Sequence, residues 1–341
     1  RPNYGAYSAE RRPKIRQFAK LLTHAWKSLQ VLAREGYPVS RASDGSGDRT
    51  KPRRGKPIAR LYLFDEVTDT MRAFSALNGT VRIHGQIDGV DHLIAPTIVF
   101  ANSLGTTLAL WRKVLPLLPD GLRIIRYDLR GHGQSDIVDA PYTMGQLISD
   151  AAAICDAADV TDAMFVGLSV GGMIGQGLAI KRPDLIRALV LSNTAAKIGN
   201  AQLWDDRIAA VHADGMAAMA DTIMPRWFGR DFINTPEVSQ WRDMVSGVDP
   251  QGYTGVCAAI AGTDFYTPTS GLRIPTLGIA GGQDGATPAD LVRETVDLIP
   301  GSQFKVMPRC GHLPCVQDPI SYGEILTEFM TNTGHLTGLA N

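Results

Sequence analysis

A serine with a glycine two positions to either side, Gly167-Leu168-Ser169-Val170-Gly171, is where the chemistry of this chain is most legible. Alone the pattern is weak, because it arises often by chance. Its setting strengthens it: the apolar run Ala163-Met164-Phe165-Val166 precedes it, and a helical segment over 172–180 follows. A serine on a tight turn between strand and helix lifts its hydroxyl clear of the sheet, where it can act as a nucleophile. The flanking glycines remove Cβ atoms that would obstruct so sharp a turn. The N-terminus of the following helix points free N–H groups at the place where negative charge develops on an attacked carbonyl.

Such a nucleophile needs a base, and the base needs a group that orients it. Asp284 follows a strand-like run at 276–280, and His312 follows another at 303–307. Both therefore fall, like Ser169, at the carboxyl ends of predicted strands, the edge where open α/β sheets bind ligands. Asp264 and Asp290 are rival orienting acids, and Asp284 has a second reading as a cap for the helix after Thr287-Pro288. The other histidines, His24, His84, His92, His132, His212 and His335, read as structural or solvated. An oxyanion needs two backbone donors. The N–H of Val170 is one candidate. The N–H of Leu104, in the turn Phe100-Ala101-Asn102-Ser103-Leu104-Gly105, is the other, with Ser103 the neighbouring alternative. Residues 126–135 read as loop scaffolding. Cys310, His312 and Cys315 lack a partner pair at zinc-site spacing, so no metal is expected. Residues 167–172 lack the Lys-Ser or Lys-Thr ending of a phosphate-binding loop. No cofactor is expected.

The elements that must hold these residues alternate. Strand-like runs fall at 81–87, 97–101, 122–127, 163–166, 188–192, 276–280 and 303–307, and helical runs at about 108–118, 144–158, 170–181, 288–299 and 319–331. This alternation predicts an α/β fold with a mostly parallel central sheet and helices on both faces. Residues 196–270 break it with helical periodicity alone, and they carry Trp204, Trp227, Trp241 and Tyr253. That interval reads as a helical cap over the site, inserted in a core formed by 71–195 and 271–334.

The 341 residues, 44% hydrophobic and 20% charged, suit a globular enzyme, and no apolar run is long enough to span a membrane. Four cysteines are too few for a disulfide scaffold and read as reduced thiols of a cytoplasmic protein. The zero net charge hides an asymmetry. Residues 1–60 hold 15 Lys or Arg against 4 Asp or Glu, and the rest holds 19 against 30. The acidic part offers no basic patch for nucleic acid. In the basic part, Ile15, Phe18, Leu22, Trp26, Leu29 and Leu32 predict an amphipathic helix over about 13–34, followed by a polar linker. Residues 1–70 thus read as a basic extension. It is a targeting or membrane-surface helix, a partner-docking arm, or sequence upstream of a domain starting at Met71; the absence of recognisable motifs before Met71 favours the last.

Residues 71–332 resemble the α/β-hydrolase superfamily, in which the triad runs in the chain order Ser, Asp, His. Within it they look like the 3-oxoadipate enol-lactonases. The similarity rests on Asn102-Ser103-Leu104-Gly105-Thr106, Asn193-Thr194-Ala195-Ala196-Lys197-Ile198-Gly199, Trp204, Arg207, Asp214-Gly215-Met216, Arg226-Trp227-Phe228, Gly252-Tyr253, Cys257-Ala258-Ala259-Ile260, Asp284-Gly285-Ala286-Thr287-Pro288 and His312-Leu313-Pro314. Residues 1–70 match nothing in that family. The resemblance implies a small-molecule lactone substrate with a free carboxylate. Lys197, Arg207, Arg226 and Arg130 are candidate cations for it, with Arg226 and Trp227 preferred and Ser103 and Trp204 as further lining. A broad carboxylesterase, a cofactor-free perhydrolase and a hydrolase-fold small-molecule receptor share the same triad and stand as alternatives. The oligomeric state is left open.

Overall fold

Short β-branched and aliphatic runs alternating with helical segments build one sheet covered on both faces. The computed structural model describes residues 71–337 and Leu339. The amphipathic helix expected over 13–34 and its linker lie outside the described residues.

The sheet has eight strands: β1 (Arg72–Asn78), β2 (Val81–Gly89), β3 (Thr97–Ala101), β4 (Arg123–Tyr127), β5 (Ala163–Leu168), β6 (Ile186–Ser192), β7 (Thr276–Gly281) and β8 (Gln303–Met307). Their order is β1-β2-β4-β3-β5-β6-β7-β8. β1 and β4 both run antiparallel to β2, and every pairing from β4 to β8 is parallel. Each residue of β3, β4, β5 and β7 is buried, as a sheet with helices on both faces requires. The covering helices include α1 (Met144–Ala157) against β1, α2 (Val170–Lys181) against β3, β5 and β6, α7 (Ala289–Asp297) against β7 and β8, and α9 (Pro319–Asn332) after the short α8 (Pro314–Gln317).

Between β6 and β7 the chain forms helices without a strand: α3 (Ala201–Trp227), α4 (Val238–Ser246), α5 (Pro250–Ala261) and α6 (Tyr266–Ser270). α3 breaks at Gly215, where φ is 78° and the helical path cannot continue. It packs on α4 and α5, burying Trp204, Trp227, Trp241 and Tyr253.

The helix expected over 108–118 is instead two short 3₁₀ segments, Leu108–Trp111 and Leu115–Leu117. Pro116 has no N–H to donate, so an α-helical ladder cannot run through it. β1 was not expected. Among the described residues no helix is long and apolar enough to cross a membrane.

The strand order reverses between β3 and β5. The loops leaving these neighbours diverge and leave a crevice at their carboxyl ends. Ala101 pairs with Gly167, which places the turn after β3 beside the turn after β5.

Candidate active site

Ser169 stands between β5 and α2 with φ 58° and ψ −119°, a conformation that non-glycine residues rarely adopt. The surroundings hold it there. Its N–H donates to Ser192 O at 3.0 Å, and Thr194 Oγ1 donates to its carbonyl at 2.6 Å. A Cβ on Gly167 would meet the backbone of Gly171, and one on Gly171 would meet the carbonyls of Ala101 and Asn102. The two glycines therefore allow helix, strand and the neighbouring turn to approach closely.

Asp284 and His312 meet in the interior. His312 Nδ1 lies 2.8 Å from Asp284 Oδ2, with both side chains almost wholly buried. The same oxygen accepts from Asn193 Nδ2 and Thr287 Oγ1, each at 2.8 Å. Oδ1 accepts from the N–H groups of Ala286 and Thr287 at 2.7 and 3.0 Å. Burial pushes the carboxyl up, but the imidazole and these donors more than offset it, and the Asp284 pKa falls below the ordinary carboxylate value. Asp284 does not cap the helix after Thr287-Pro288: α7 begins at Ala289 with no side-chain cap bond. The carboxylate instead binds the turn before it through Oδ1, while Oδ2 serves His312, Asn193 and Thr287 Oγ1. The rivals are elsewhere. Asp264 pairs with Lys197 at 3.1 Å near the surface, and Asp290 sits in the first turn of α7, exposed. With Nδ1–H given to the carboxylate, Nε2 faces the pocket as an acceptor. His312 is seated by its N–H donating to Trp227 O at 2.7 Å, with the Trp227 ring stacked 6.0 Å away.

Ser169 and His312 line one pocket. Among the described residues no hydrogen bond joins their side chains. His312 Nε2 lies 3.5 Å from the Ser103 hydroxyl. Unliganded hydrolase sites often have loose nucleophile–base geometry that tightens with substrate.

The turn after β3 is braced from behind. Asn102 Nδ2 donates to Tyr127 O at 2.7 Å, and its Oδ1 accepts from Trp111 Nε1 at 2.8 Å. His132 Nε2 accepts from Gly105 N–H at 3.1 Å, and its Nδ1 lies 3.2 Å from Arg130 O. Burial lowers the His132 pKa to about 4, which keeps the ring neutral and its Nε2 an acceptor. Leu104 lines the pocket, and its N–H, like that of Val170, has no protein acceptor among the described residues.

The helices between β6 and β7 supply the opposite wall, including Trp204, Arg207, Arg226, Trp227 and Tyr253. Of the four candidate cations, only Arg207 and Arg226 line this pocket. Lys197 pairs with Asp264, and Arg130 forms a buried pair with Asp150 at 2.6 Å. Trp204 is anchored by Nε1 donating to Ile198 O at 2.7 Å. Sequence reasoning missed Asn193 and Thr287 as partners of Asp284, and Tyr253 as a pocket residue. The available signal for Asn193 was its position directly after β6, at the same sheet edge.

Among the described residues no group of three or more His, Cys, Asp or Glu could hold a metal ion.

Residues 96–235 match the family model for the alpha/beta hydrolase fold. The chain is 35% identical over 238 residues to 3-oxoadipate enol-lactonase 2 of Acinetobacter baylyi, covering 69% of this chain and 88% of that one. It is 33% identical over 247 residues to 3-oxoadipate enol-lactonase 1 of the same organism, covering 72% and 91%. The crystal structure of the enol-lactonase from Burkholderia xenovorans LB400 superposes with a TM-score of 0.73 at 34% identity, covering 75% of this chain and 99% of that chain. With sheet, elbow and pocket in place, these likenesses over most of the relatives' length show that the chain belongs to the 3-oxoadipate enol-lactonase family of α/β-hydrolases.

Proposed function

We propose that this α/β-hydrolase opens 3-oxoadipate enol-lactone to 3-oxoadipate, a step of the β-ketoadipate route of aromatic catabolism. Ser169 is the nucleophile, His312 the general base and acid, and Asp284 the orienting carboxylate. The observation that carries the reading is the buried His312–Asp284 pair at 2.8 Å, opening on the pocket that Ser169 also lines. The names of the enol-lactonase relatives support the substrate.

Ser169 Oγ attacks the lactone carbonyl as His312 Nε2 takes its proton. Asp284 holds the imidazole in the required tautomer and stabilises its cation. The N–H groups of Leu104 and Val170, free of protein acceptors, receive the oxyanion. Collapse breaks the ring C–O bond and expels an enol oxygen, which ketonises and leaves a 3-oxoadipyl ester on Ser169. His312 then activates water, and 3-oxoadipate departs. The helices over 196–270 act as a cap that closes this chemistry from solvent. Four buried free cysteines fit a cytoplasmic setting, where thiols stay reduced.

The test is a comparison of kcat/KM on purified enol-lactone and on a neutral p-nitrophenyl ester. The reading expects the lactone to be preferred by about tenfold or more. A preference of that size for the neutral ester would favour a broad esterase instead.

A further inference from the structure

The backbone that leads into His312 is pinned by groups outside the triad. Two consecutive peptides precede the base, and all four of their polar groups are bonded. In the first, Cys310 O accepts from Gln283 N–H at 2.8 Å, and Gly311 N–H donates to Gln317 Oε1 at 2.6 Å. In the second, Gly311 O accepts from Asn193 Nδ2 at 3.2 Å, and His312 N–H donates to Trp227 O at 2.7 Å. Gly311 is buried, and a Cβ there would strike Trp227 O, so backbone packs directly on backbone at this point. Gln317 ends the short α8, five residues after His312, and is half-buried. Its Oε1 also accepts from Gly229 N–H at 3.3 Å, two residues past Trp227. One carboxamide oxygen therefore holds both the peptide before the base and the segment that seats the base. Gln283 ties the same segments differently. Its Oε1 accepts from Arg230 N–H at 2.9 Å, and its grip on Cys310 is through backbone.

We propose that Gln317 is a positioning residue for the general base: its carboxamide oxygen fixes the Cys310–Gly311 peptide and locks the exit of α3 against it, and so sets where His312 Nε2 stands relative to Ser169. The proposal rests on the reading of His312 as the base of the Ser169 pocket. Without that oxygen the buried Gly311 N–H must turn toward another acceptor, and the peptide turns with it. Nε2 has to come within hydrogen-bond reach of the Ser169 proton, and a misplacement of about 1 Å costs about 10²-fold in rate. Gln317 does not line the pocket, so its loss acts on turnover and not on substrate binding. A carboxylate at this position offers the same acceptor. The side chain of Gln283 provides the matched control, because removing it frees Arg230 N–H while the backbone bond to Cys310 O remains.

The experiment uses the full chain and the variants Gln317→Met, Gln317→Glu and Gln283→Met. It measures kcat and KM on the enol-lactone and on a neutral p-nitrophenyl ester, and the rate at which a fluorophosphonate inactivates Ser169. For Gln317→Met, kcat on both substrates and the inactivation rate fall about tenfold or more, while KM moves less than about threefold. Gln317→Glu keeps the acceptor and restores kcat to within about threefold of the unaltered chain, and Gln283→Met stays in the same range. Should Gln317→Met fail to fold, Gln317→Asn, which withdraws the carboxamide by one methylene, shows the same fall. An undiminished kcat in the folded variant, or losses as large in Gln317→Glu or Gln283→Met, would overturn the positioning role. A chain that ignores the enol-lactone, yet loses ester turnover and fluorophosphonate reactivity in Gln317→Met, would overturn the substrate reading and support the positioning role. Failure of the fluorophosphonate to label Ser169 in the unaltered chain would overturn both.

Discussion

Asp284 Oδ2 accepts from His312, Asn193 and Thr287, and Oδ1 from two backbone donors, so this carboxylate is held at full hydrogen-bonding capacity. Asp284→Asn preserves shape but turns the imidazole to the wrong tautomer, and kcat falls by roughly 10⁴-fold. Asn193→Ala removes one donor to the charged form. It lowers kcat by about tenfold and moves the acid limb of the kcat–pH profile upward. Stability follows the same group. A carboxyl held below its ordinary value contributes stability that is complete above about pH 4 and is lost as the pH falls through the native value. Melting of Asp284→Asn between pH 5 and pH 3 should therefore decline less steeply than that of the unaltered chain; an equal or steeper decline would contradict this. The positions of Ser169, Asp284 and His312 are legible in the sequence because each closes a strand with a recognisable turn. Asn193 and Tyr253 are not, because the one meets Asp284 and the other the pocket only once distant segments pack; Thr287, three residues from Asp284, sits in no local pattern that marks it as a donor.

The elbow is the element on which the site hangs. Gly171 sits where a Cβ would strike the carbonyls of Ala101 and Asn102, atoms of the very turn that carries Leu104. Gly171→Ala should push β3's turn and α2 apart, destabilising the fold by about 2 kcal/mol or more and lowering activity with it. Calorimetry and turnover check this, and an unshifted Tm would contradict it. The strands from β2 onward are legible from their neighbouring turns and from apolar runs or, in β2 and β8, from apolar residues alternating with polar ones. β1 carried a usable signal in Asn78-Gly79, where Gly79 takes φ 63° and closes the hairpin, but its alternating, largely exposed residues give no apolar run. The segment over 108–118 shows the opposite error. Its spacing is helical, yet Pro116 and the capture of Leu108 N–H by Asp128 at 2.7 Å divert the backbone into 3₁₀ turns.

Across the molecule, two buried histidines report on acid stability. Burial lowers His132, and burial then the Arg187 charge lower His335, each to about 4. Unfolding returns them to an ordinary value near 6.5, so the unfolded chain takes up protons first. Stability therefore declines as the pH falls from about 6.5 toward 4. Between pH 7 and pH 5, Tm should drop by about 5 °C or more, and His132→Gln should flatten part of that slope. A Tm constant over the range would contradict it. The fold class is legible because a buried parallel sheet forces alternating apolar runs. The pocket wall is less so, since Arg207, Arg226 and Tyr253 meet only after α3 and α5 pack. The central claim is that Ser169 carries the acyl group of an enol-lactone. Turnover of purified 3-oxoadipate enol-lactone by the unaltered chain and by Ser169→Ala tests it most directly. The account predicts a fall in kcat of at least about 10³-fold with the fold intact; lactone hydrolysis undiminished in Ser169→Ala would contradict it.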